Sequence, residues 1–369
     1  MHECATVKLL FLAKRHPQQR DLLERPYGRF HHLPVELATL GHDVEVQLCS
    51  HRGLPSARIE RDGICWSSQD VRTLGLRGWM GALDAALVKF QPNWIIACSD
   101  AWYGVVGQRF AKRHNTRLAI DAYDNFEAYM PWNLPLHWAW RRAVRKADLV
   151  TAAGPQLAAL LQSHRLHGQP AKVLPMAADP EFAPMNKLES RHVFGLPQAA
   201  PLIGYVGSWA RNRGTGMLLE AFRRARAARP ELQLVLSGRP PAHVTAEPGV
   251  INLGYIVDAQ LPVLLNALDI ACIITADTRF GRYSYPAKLC EAMACGVPVV
   301  ATATAPVRWM LQDRSEHLVP VDDPAAFADR ALQMLSQPRA DYGPRPTWTL
   351  QAGALDRFLT STSDKSTSE

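Results

Sequence analysis

Short apolar runs alternate with amphipathic stretches along the second half of the chain. The runs 202–206 and 232–236 are typical of buried parallel strands, and apolar residues at helical spacing fill 215–229 between them. The alternation continues, with strands predicted near 250–253, 269–275, 297–301 and 317–321, and helices near 258–268, 286–295 and 324–335. Regular strand–helix alternation predicts an α/β domain built on a parallel sheet.

The first half shows the same alternation less regularly. Strands are predicted at 7–12, 44–48, 94–98, 118–121 and 149–152, and helices at 31–40 and 136–146. Prolines cluster between 169 and 184, so we predict domains at 1–172 and 173–345, followed by a C-terminal helix and disordered tail at 346–369. Two such domains facing across a cleft would bind a ligand at the carboxyl ends of their strands.

Composition and charge narrow the class of partner. The 369-residue chain is 47% hydrophobic and 20% charged, as in folded proteins. Most of its net charge of +7 lies in residues 1–170, where 21 basic side chains face 15 acidic ones. This excess weakly favours an anionic partner. Because the basic residues are scattered and no nucleic-acid-binding signature occurs, we expect no nucleic acid partner.

Cysteine usage and hydropathy indicate the cellular compartment in which the protein is expected. Seven cysteines without a C-x-x-C pair predict reduced thiols rather than disulfides or a zinc site. No apolar run approaches the roughly 18 residues that span a bilayer, and the first residues do not resemble a signal peptide. We therefore expect a cytoplasmic protein without a bound metal.

The segment 283–301 carries the most informative chemistry. Pro286 suits the first turn of a helix and Gly296 suits its end. Lys288 and Glu291 share one helix face, and Lys288 lies in the first turn, where the helix dipole disfavours a cation. A bound anion would account for Lys288; the alternative is a Lys288–Glu291 surface pair. A glutamate such as Glu291 is also suited to accept two hydrogen bonds from a ribose diol.

A second segment, 204–216, joins a predicted strand to a predicted helix. Gly207 permits close backbone approach, and Arg211 and Arg213 stand just before the helix. A diphosphate there would meet helix N–H groups and two guanidinium groups together. The alternative is a solvated loop. Neither the dinucleotide-binding G-x-G-x-x-G pattern nor a P-loop occurs in the sequence.

Both segments resemble the donor-binding half of the GT-B glycosyltransferases, specifically the retaining family 4 (group 1) class. Residues 206–222 resemble its phosphate loop and helix, 253–256 its nucleotide-base loop, 286–298 its most recognisable block, and 173–184 a variant of its interdomain hinge. In the first half, 37–44 are similar to its first helix and second strand, and 120–127 to a sub-branch of bacterial members. The implied fold is two Rossmann-like domains, with the acceptor on the first and the donor on the second.

The resemblance implies roles for particular residues. Catalytic roles would fall to Arg211, Arg213, Glu291 and Asp124. The donor would be held by Gly28, Gly207, Ser208, Tyr255, Tyr283, Ser284, Tyr285, Lys288 and Glu291. On the acceptor side we place Tyr123, which stands near a histidine of many members, and Arg29 and His31, which lie near the start of a predicted helix.

Several positions depart from the family pattern. The first of the family's paired glutamates falls on Tyr283, so Asp277 or Arg282 is a candidate substitute for holding the sugar hydroxyls. The usual glycine-rich loop after the first strand is replaced by residues 24–30. An alternative role for Tyr123 and Asp124 is a turn at a strand end, stabilised by an Asx hydrogen bond.

The resemblance implies a retaining glycosyltransferase that needs no cofactor or metal. It would move a sugar from a nucleotide-diphosphate sugar to a hydroxyl of a glycan or lipid-linked acceptor, in bacterial cell-surface polysaccharide or glycolipid synthesis. Two alternatives stay open: a GT-B epimerase or phosphorylase, and a non-catalytic sugar-nucleotide-binding or scaffold protein, which Tyr283 favours.

Residues 129–146 combine aromatic and basic side chains. Trp132, Trp138 and Trp140 stand among or just before four cations, Arg141, Arg142, Arg145 and Lys146. Such a composition suits the surface of an anionic membrane, so peripheral contact with the inner face of the membrane is a further hypothesis. The alternative is a helix that packs on the core and exposes a solvated basic face.

Overall fold

The structure is a computed structural model that describes residues 6–165, 169–207, 209 and 214–363. It divides into two compact units, the first comprising Met1–Met176 with Pro346–Glu369 and the second Ala177–Arg345. The division falls within the proline-rich stretch, at Met176 rather than at residue 172. The C-terminal segment joins the first unit.

The first unit is built on an eight-stranded sheet. In chain order its strands are β1 (Lys8–Lys14), β2 (Asp43–Ser50), β3 (Ala57–Arg61), β4 (Ile64–Asp70), β5 (Trp94–Cys98), β6 (Arg117–Ala122), β7 (Leu149–Ala152) and β8 (Lys172–Val173). Across the sheet they run β3-β4-β2-β1-β5-β6-β7-β8, and only β3 is antiparallel to its neighbour. All five side chains of β5 are buried, as expected for a parallel strand covered on both faces.

Among the described residues, five helices connect these strands, and a sixth follows the second unit in the chain. They are α1 (Arg29–Thr39), α2 (Val71–Phe90), α3 (Ala101–His114), α4 (Leu134–Lys146) and α5 (Pro155–Gln162), with α13 (Trp348–Ser363) packed on α1. The ring of Trp348 stacks on that of His32, with centroids 5.9 Å apart. His42 Nε2 lies 3.1 Å from Asp356 Oδ1, which ties α13 to the loop before β2.

The second unit is built on a six-stranded parallel sheet. Its strands are β9 (Leu202–Tyr205), β10 (Gln233–Leu236), β11 (Val250–Asn252), β12 (Ile270–Ile273), β13 (Val299–Thr302) and β14 (Leu318–Val319). Across the sheet they run β11-β10-β9-β12-β13-β14. Its helices are α6 (Lys187–Val193), α7 (Thr215–Ala228), α8 (Ala242–Thr245), α9 (Leu261–Ala267), α10 (Ala287–Ala294), α11 (Ala305–Met310) and α12 (Pro324–Met334). Every strand and helix predicted for this half has a counterpart here, with ends shifted by a few residues.

The sheet orders place one topological switch point in each unit. In the first, β2 lies on one side of β1 and β5 on the other; in the second, β10 lies on one side of β9 and β12 on the other. Loops leave such a point in opposite directions and open a crevice at the carboxyl ends of the strands. Within the described ranges, no helix is both long and apolar enough to cross a membrane.

Candidate active site

At the switch point of the second unit, two loops pack closely together. Gly207 follows β9 with φ 134°, a conformation that favours glycine, and its N–H donates to Ser237 Oγ at 3.2 Å. Gly238 follows β10, and a Cβ there would lie 3.1 Å from the carbonyl oxygen of Gly207. The close approach of these loops therefore favours glycine at position 238, and the positive φ favours glycine at position 207.

Lys288 crosses the same point from the first turn of α10. Its Nζ lies 4.9 Å from the centroid of the Tyr205 ring, at the end of β9. A Cβ added at Gly207 would lie only 1.7 Å from that Nζ. Two segments distant in the chain, both predicted to bind the donor, thus place a glycine backbone and an ammonium group side by side.

The other residues near α10 that were predicted to bind the donor have surroundings different from those of Lys288. Glu291 lies about one turn after Lys288 and is partly exposed. Tyr283 ends a short 3-10 turn, and both it and Ser284 are partly exposed. The ring of Tyr285 is buried edge-on against Trp309 of α11, with centroids 5.7 Å apart, so it packs the interior.

Asp277 and Arg282, the candidate substitutes for the missing glutamate, pair with each other. Arg282 Nε donates to Asp277 Oδ1 at 2.7 Å, and Nη2 to Oδ2 at 3.2 Å. The hydrogen bond from Arg282 holds the pKa of Asp277 below its ordinary value. A sugar hydroxyl held by either side chain would therefore have to share this pair.

The predicted base loop is anchored at the end of β10. The N–H of Gly238 donates to the carbonyl of Gly254 at 2.6 Å, next to Tyr255. Tyr255 is 62% exposed, so its ring is accessible at the surface. Ser208, Arg211 and Arg213 lie outside the described residues, and their roles stay predictions.

In the first unit, Gly28 and Arg29 lie at the start of α1 and differ in their surroundings. Gly28 has φ 59°, and a Cβ there would meet no atom within 4 Å. Arg29 is buried: its guanidinium binds both carboxylate oxygens of Asp121 at 2.5 and 2.6 Å and donates to the carbonyl of Leu174 at 2.8 Å. Arg29, predicted on the acceptor side, thus ties α1 to β6 and to the end of the first unit.

His31 is also directed into the interior. Its ring stacks on the buried ring of Trp66 in β4, with centroids 5.5 Å apart, and its Nε2 lies 3.9 Å from Asp62 Oδ2. These contacts place its side chain between α1 and the sheet, so the prediction that it reaches an acceptor gains no support from its surroundings.

Tyr123 and Asp124 meet a third residue at the end of β6. Tyr129 donates a hydrogen bond of 2.5 Å to Asp124 Oδ2, and its hydroxyl lies 3.5 Å from that of Tyr123. Burial, and then the charge of Asp124, raise the pKa of the Tyr123 phenol. The turn here is closed instead by Asn125, whose Oδ1 accepts from the N–H of Glu127 at 3.2 Å. Asp124 is therefore placed among phenol groups, which leaves its predicted catalytic role open.

Some polar residues at the switch point of the first unit were missed in the sequence. Lys14 ends β1, His51 follows β2, and Asp100 follows β5 by two residues. A signal existed, because each stands at the end of an apolar run, but the order of the strands was needed to bring them together. Within the described part of the chain, no group of three His, Cys, Asp or Glu side chains is arranged to hold a metal ion.

Comparison with known proteins agrees with this architecture. Residues 200–337 match the family described as Glycosyl transferases group 1, and residues 28–177 match the Glycosyl transferase 4-like domain. A sucrose-phosphate synthase from Thermosynechococcus elongatus has a TM-score of 0.71 at 19% identity, covering 97% of this chain and 98% of its own. Anabaena HepE in complex with UDP-glucose has a TM-score of 0.70 at 14% identity, covering 98% and 100%.

Sequence relatives cover less of the chain. A D-inositol 3-phosphate glycosyltransferase of Stackebrandtia nassauensis is 29% identical over 58% of this chain and 51% of its own length. A phosphatidyl-myo-inositol mannosyltransferase of Mycobacterium leprae is 30% identical over 38% of this chain and 39% of its own. The chain thus spans about half the length, or less, of these curated relatives.

The two α/β units and their structural neighbours define a GT-B fold. The chain belongs to the group 1 glycosyltransferases, as the two family matches, which together span most of it, show.

Proposed function

We propose that this protein transfers a sugar from a nucleotide-diphosphate sugar to a hydroxyl group of an acceptor. The observation that carries the proposal is the approach of Lys288 Nζ to Gly207 and Tyr205 at the switch point of the second unit. A glycine backbone beside an ammonium group, at the carboxyl edge of a parallel sheet, suits a diphosphate.

The leaving diphosphate would be stabilised by fixed positive groups. Lys288 supplies one charge, Arg211 and Arg213 would supply two more, and the N-terminus of α7 supplies N–H groups. Glu291 would bind the ribose diol. Cations arranged in this way would neutralise the charge of the leaving diphosphate in place of a metal ion. We therefore expect no metal requirement and no cofactor.

The finer assignments rest on the family. Transfer with retention at the anomeric carbon, and a role in bacterial cell-surface glycan or glycolipid synthesis, are the family outcomes that we propose for this chain. A relative named phosphatidyl-myo-inositol mannosyltransferase supports a lipid-linked acceptor.

Replacing Lys288 by Ala tests the donor site. We expect nucleoside diphosphate binding to weaken and transfer to fall about 100-fold, because one stabilising charge is removed from the leaving group. Thermal shifts with UDP, GDP, ADP, CMP and dTDP first identify the base, and release of that nucleotide from the matching sugar nucleotide measures turnover. Lys112→Ala, at an exposed lysine of α3, is the matched control. Equal turnover in both variants would remove Lys288 from the site.

The same measurements separate the alternatives. A scaffold protein would bind the diphosphate but release none from a sugar nucleotide given with acceptors. An epimerase would convert the sugar nucleotide without any acceptor. The Asp277–Arg282 pair supports the scaffold alternative, because it lies near the position of the absent glutamate and each side chain is already paired with the other.

We also propose that α4 and the turn before it lie against an anionic membrane. The helix packs on the core through Trp140, whose ring would lie 2.5 Å from a Cβ at Gly104 of α3. Trp132 and Trp138 are instead 76% and 68% exposed. The guanidinium of Arg142 lies 6.0 Å from the centroid of the Trp138 ring. Exposed indole rings beside exposed cations match the interface of an anionic bilayer.

Sedimentation with vesicles of phosphatidylglycerol and phosphatidylcholine tests this surface. The double variant Trp132→Ala/Trp138→Ala should bind at least about tenfold more weakly, because it loses the side chains that enter the interface. The control is Leu188→Ala/Val193→Ala, which removes two comparably exposed apolar side chains from α6 of the second unit. Absence of wild-type binding at low salt would contradict the membrane proposal.

A further inference from the structure

A polar crevice of about 270 Å³ lies between α2 and one face of the first unit's sheet. Strands β2, β3 and β4 form its floor, and α2 forms its wall. Ser67 of β4 is paired with Gln47 of β2 on one side and with Arg58 of β3 on the other, so these three side chains share the floor. The crevice occupies a face of the sheet, whereas the switch point lies at the carboxyl edge beside β1. None of the residues that line it was predicted to bind donor or acceptor.

The two faces of these strands differ in chemistry. Val46 and Trp66, which are paired, are almost fully buried on the face toward α1, where Trp66 stacks on His31. The opposite face of the same strands carries polar side chains, although strands covered on both faces are normally apolar on both. Helix α2 covers that face with Ala82 and Ala86, which are four residues apart and too short to fill the space. The fold thus leaves these polar groups in an open crevice.

The charged groups that line the crevice are not matched with one another. Glu45 is partly buried, which raises its pKa above the ordinary value, and the charges of Arg58 and Lys89 oppose this rise only in part. No ion pair joins Glu45 to either cation in the part of the chain that the structure describes. Arg58 Nη2 lies 3.7 Å from Glu60 Oε1, but exposed pairs of this kind contribute little, so Arg58 stays available to a ligand. The lining therefore offers two cations and one carboxylate.

We propose that this crevice is a further ligand site, and that it binds a small polyhydroxylated anion. The anionic group would lie against Arg58 and Lys89, and hydroxyl groups would donate to Glu45. Gln69 supplies donors as well, because its oxygen accepts from Ser56 Oγ at 2.6 Å and its amide N–H groups have no hydrogen-bond partner among the described residues. A cationic ligand suits the crevice less well, since beside Glu45 it would meet both cations.

The size and lining of the crevice limit the ligand further. Its volume falls below the range of about 300–1,000 Å³ that is typical of drug-sized ligands, so a molecule about as large as a monosaccharide derivative fits. No aromatic ring lines it among the described residues, so it offers no stacking surface for a nucleobase. Binding here would not depend on the proposed sugar transfer, since the crevice shares no residue with the proposed donor site.

Titration with simple sugar acids and sugar phosphates tests the crevice. The anionic probes are gluconate and glucose 6-phosphate, which separate a carboxylate from a phosphate. Glucose and sorbitol are the neutral comparisons, and inorganic phosphate is the anion without a polyol. Each is titrated into the full chain by isothermal calorimetry. We expect at least one anionic probe to bind about tenfold or more tightly than the neutral polyols and inorganic phosphate, because only it meets both the cations and the hydroxyl acceptor.

Two variants disable the crevice by different means. Ala86→Leu fills it from α2 with a residue that favours a helix, and Lys89→Met removes one cation. The dissociation constant of the anionic probe should rise about tenfold or more in each variant. Ala85→Leu, at an exposed position of α2, and Lys112→Met, at an exposed lysine of α3, are the matched controls and should bind like the wild type. Thermal unfolding without ligand shows whether each variant is folded.

Four outcomes would overturn this ligand site. They are no binding of either anionic probe to the wild type at millimolar concentration, equal binding of a neutral polyol or inorganic phosphate, wild-type affinity in both Ala86→Leu and Lys89→Met, or loss of probe binding in Lys288→Ala. The last outcome would place the probe at the diphosphate site of the second unit. Failure of the proposed function is recognised separately, because it appears as absence of nucleoside diphosphate binding.

Discussion

The role of a single residue in this protein depends on how closely it lies to neighbouring backbone and on how deeply it is buried, as well as on its chemical type. Gly207 matters because its positive φ and missing side chain leave room for Lys288. The guanidinium of Arg29 could bind the hydroxyl groups of an acceptor. It is instead paired with the Asp121 carboxylate and with a backbone carbonyl inside the first unit. A buried arginine paired in this way contributes to the fold, since removal of either partner leaves an uncompensated charge.

Gly207→Ala should damage donor binding more than folding. The new methyl group would strain a backbone at φ 134°, at a cost of about 1–3 kcal/mol, and would displace the Lys288 ammonium. We expect nucleoside diphosphate affinity, measured by calorimetry, to fall at least about tenfold. Gly216→Ala in α7 is the control: its Cβ would meet nothing within 4 Å, so stability should stay the same or rise by up to about 0.5 kcal/mol. Unchanged affinity in Gly207→Ala would contradict the donor site.

At the scale of elements, the sequence predicted those whose ends carry clear signals. Pro286 and Gly296 bracket α10, and apolar runs mark most of the strands. The β3–β4 hairpin was missed, although Asp62-Gly63 forms its two-residue turn with both φ values positive, the signal of a type I′ turn. Helix α2 was missed because Gly75, which is not helical, interrupts its pattern.

Asp70 links two elements and predicts a pH dependence of stability. One oxygen caps α2, and the other accepts N–H groups from three successive residues, Arg52, Gly53 and Leu54. Burial would raise its pKa, but these hydrogen bonds and one from Ser50 outweigh burial and hold the pKa well below its ordinary value. Its carboxylate therefore stabilises the fold above about pH 4, and this contribution is lost as the pH falls toward the lowered pKa.

Asp70→Asn should lower the free energy of unfolding by about 3 kcal/mol at pH 7, since charged hydrogen bonds are replaced by a poorer set. The difference from the wild type should shrink as the pH falls below about 4, in urea unfolding followed by circular dichroism. Asp313→Asn, at an exposed carboxylate 3.7 Å from Arg308, is the control with little expected effect. A difference that does not vary with pH would contradict the role of the ionised carboxylate.

At the scale of the whole molecule, the first unit is assembled from two separate parts of the chain, one before and one after the second unit. The chain leaves the second unit after Arg345. Helix α13 then packs on α1, and its residues Leu355 and Leu359 are buried in the first unit. The first unit therefore completes its core only with a segment that follows the entire second unit in the chain. Its stability depends on a contact of long sequence separation.

Leu355→Ala should destabilise the first unit alone. Leu355 is 1% exposed, so its truncation should cost about 2–5 kcal/mol, whereas Leu350→Ala, at a leucine 61% exposed on the same helix, should change little. In scanning calorimetry we expect the transition of the first unit to fall by about 5–10 °C and that of the second to stay in place. An equal shift of all transitions would mean that the two units unfold as one.

The sequence by itself determined the alternation of strands and helices, because periodicity, proline and glycine act locally, and it carried the family resemblance from which the donor residues are predicted. Only the tertiary structure decided which strand ends are neighbours. That order brings Lys288 to Gly207 and turns Arg29 and His31 into the interior. Contacts between distant segments depend on strand order and helix packing, which no local pattern of hydrophobic and polar residues encodes.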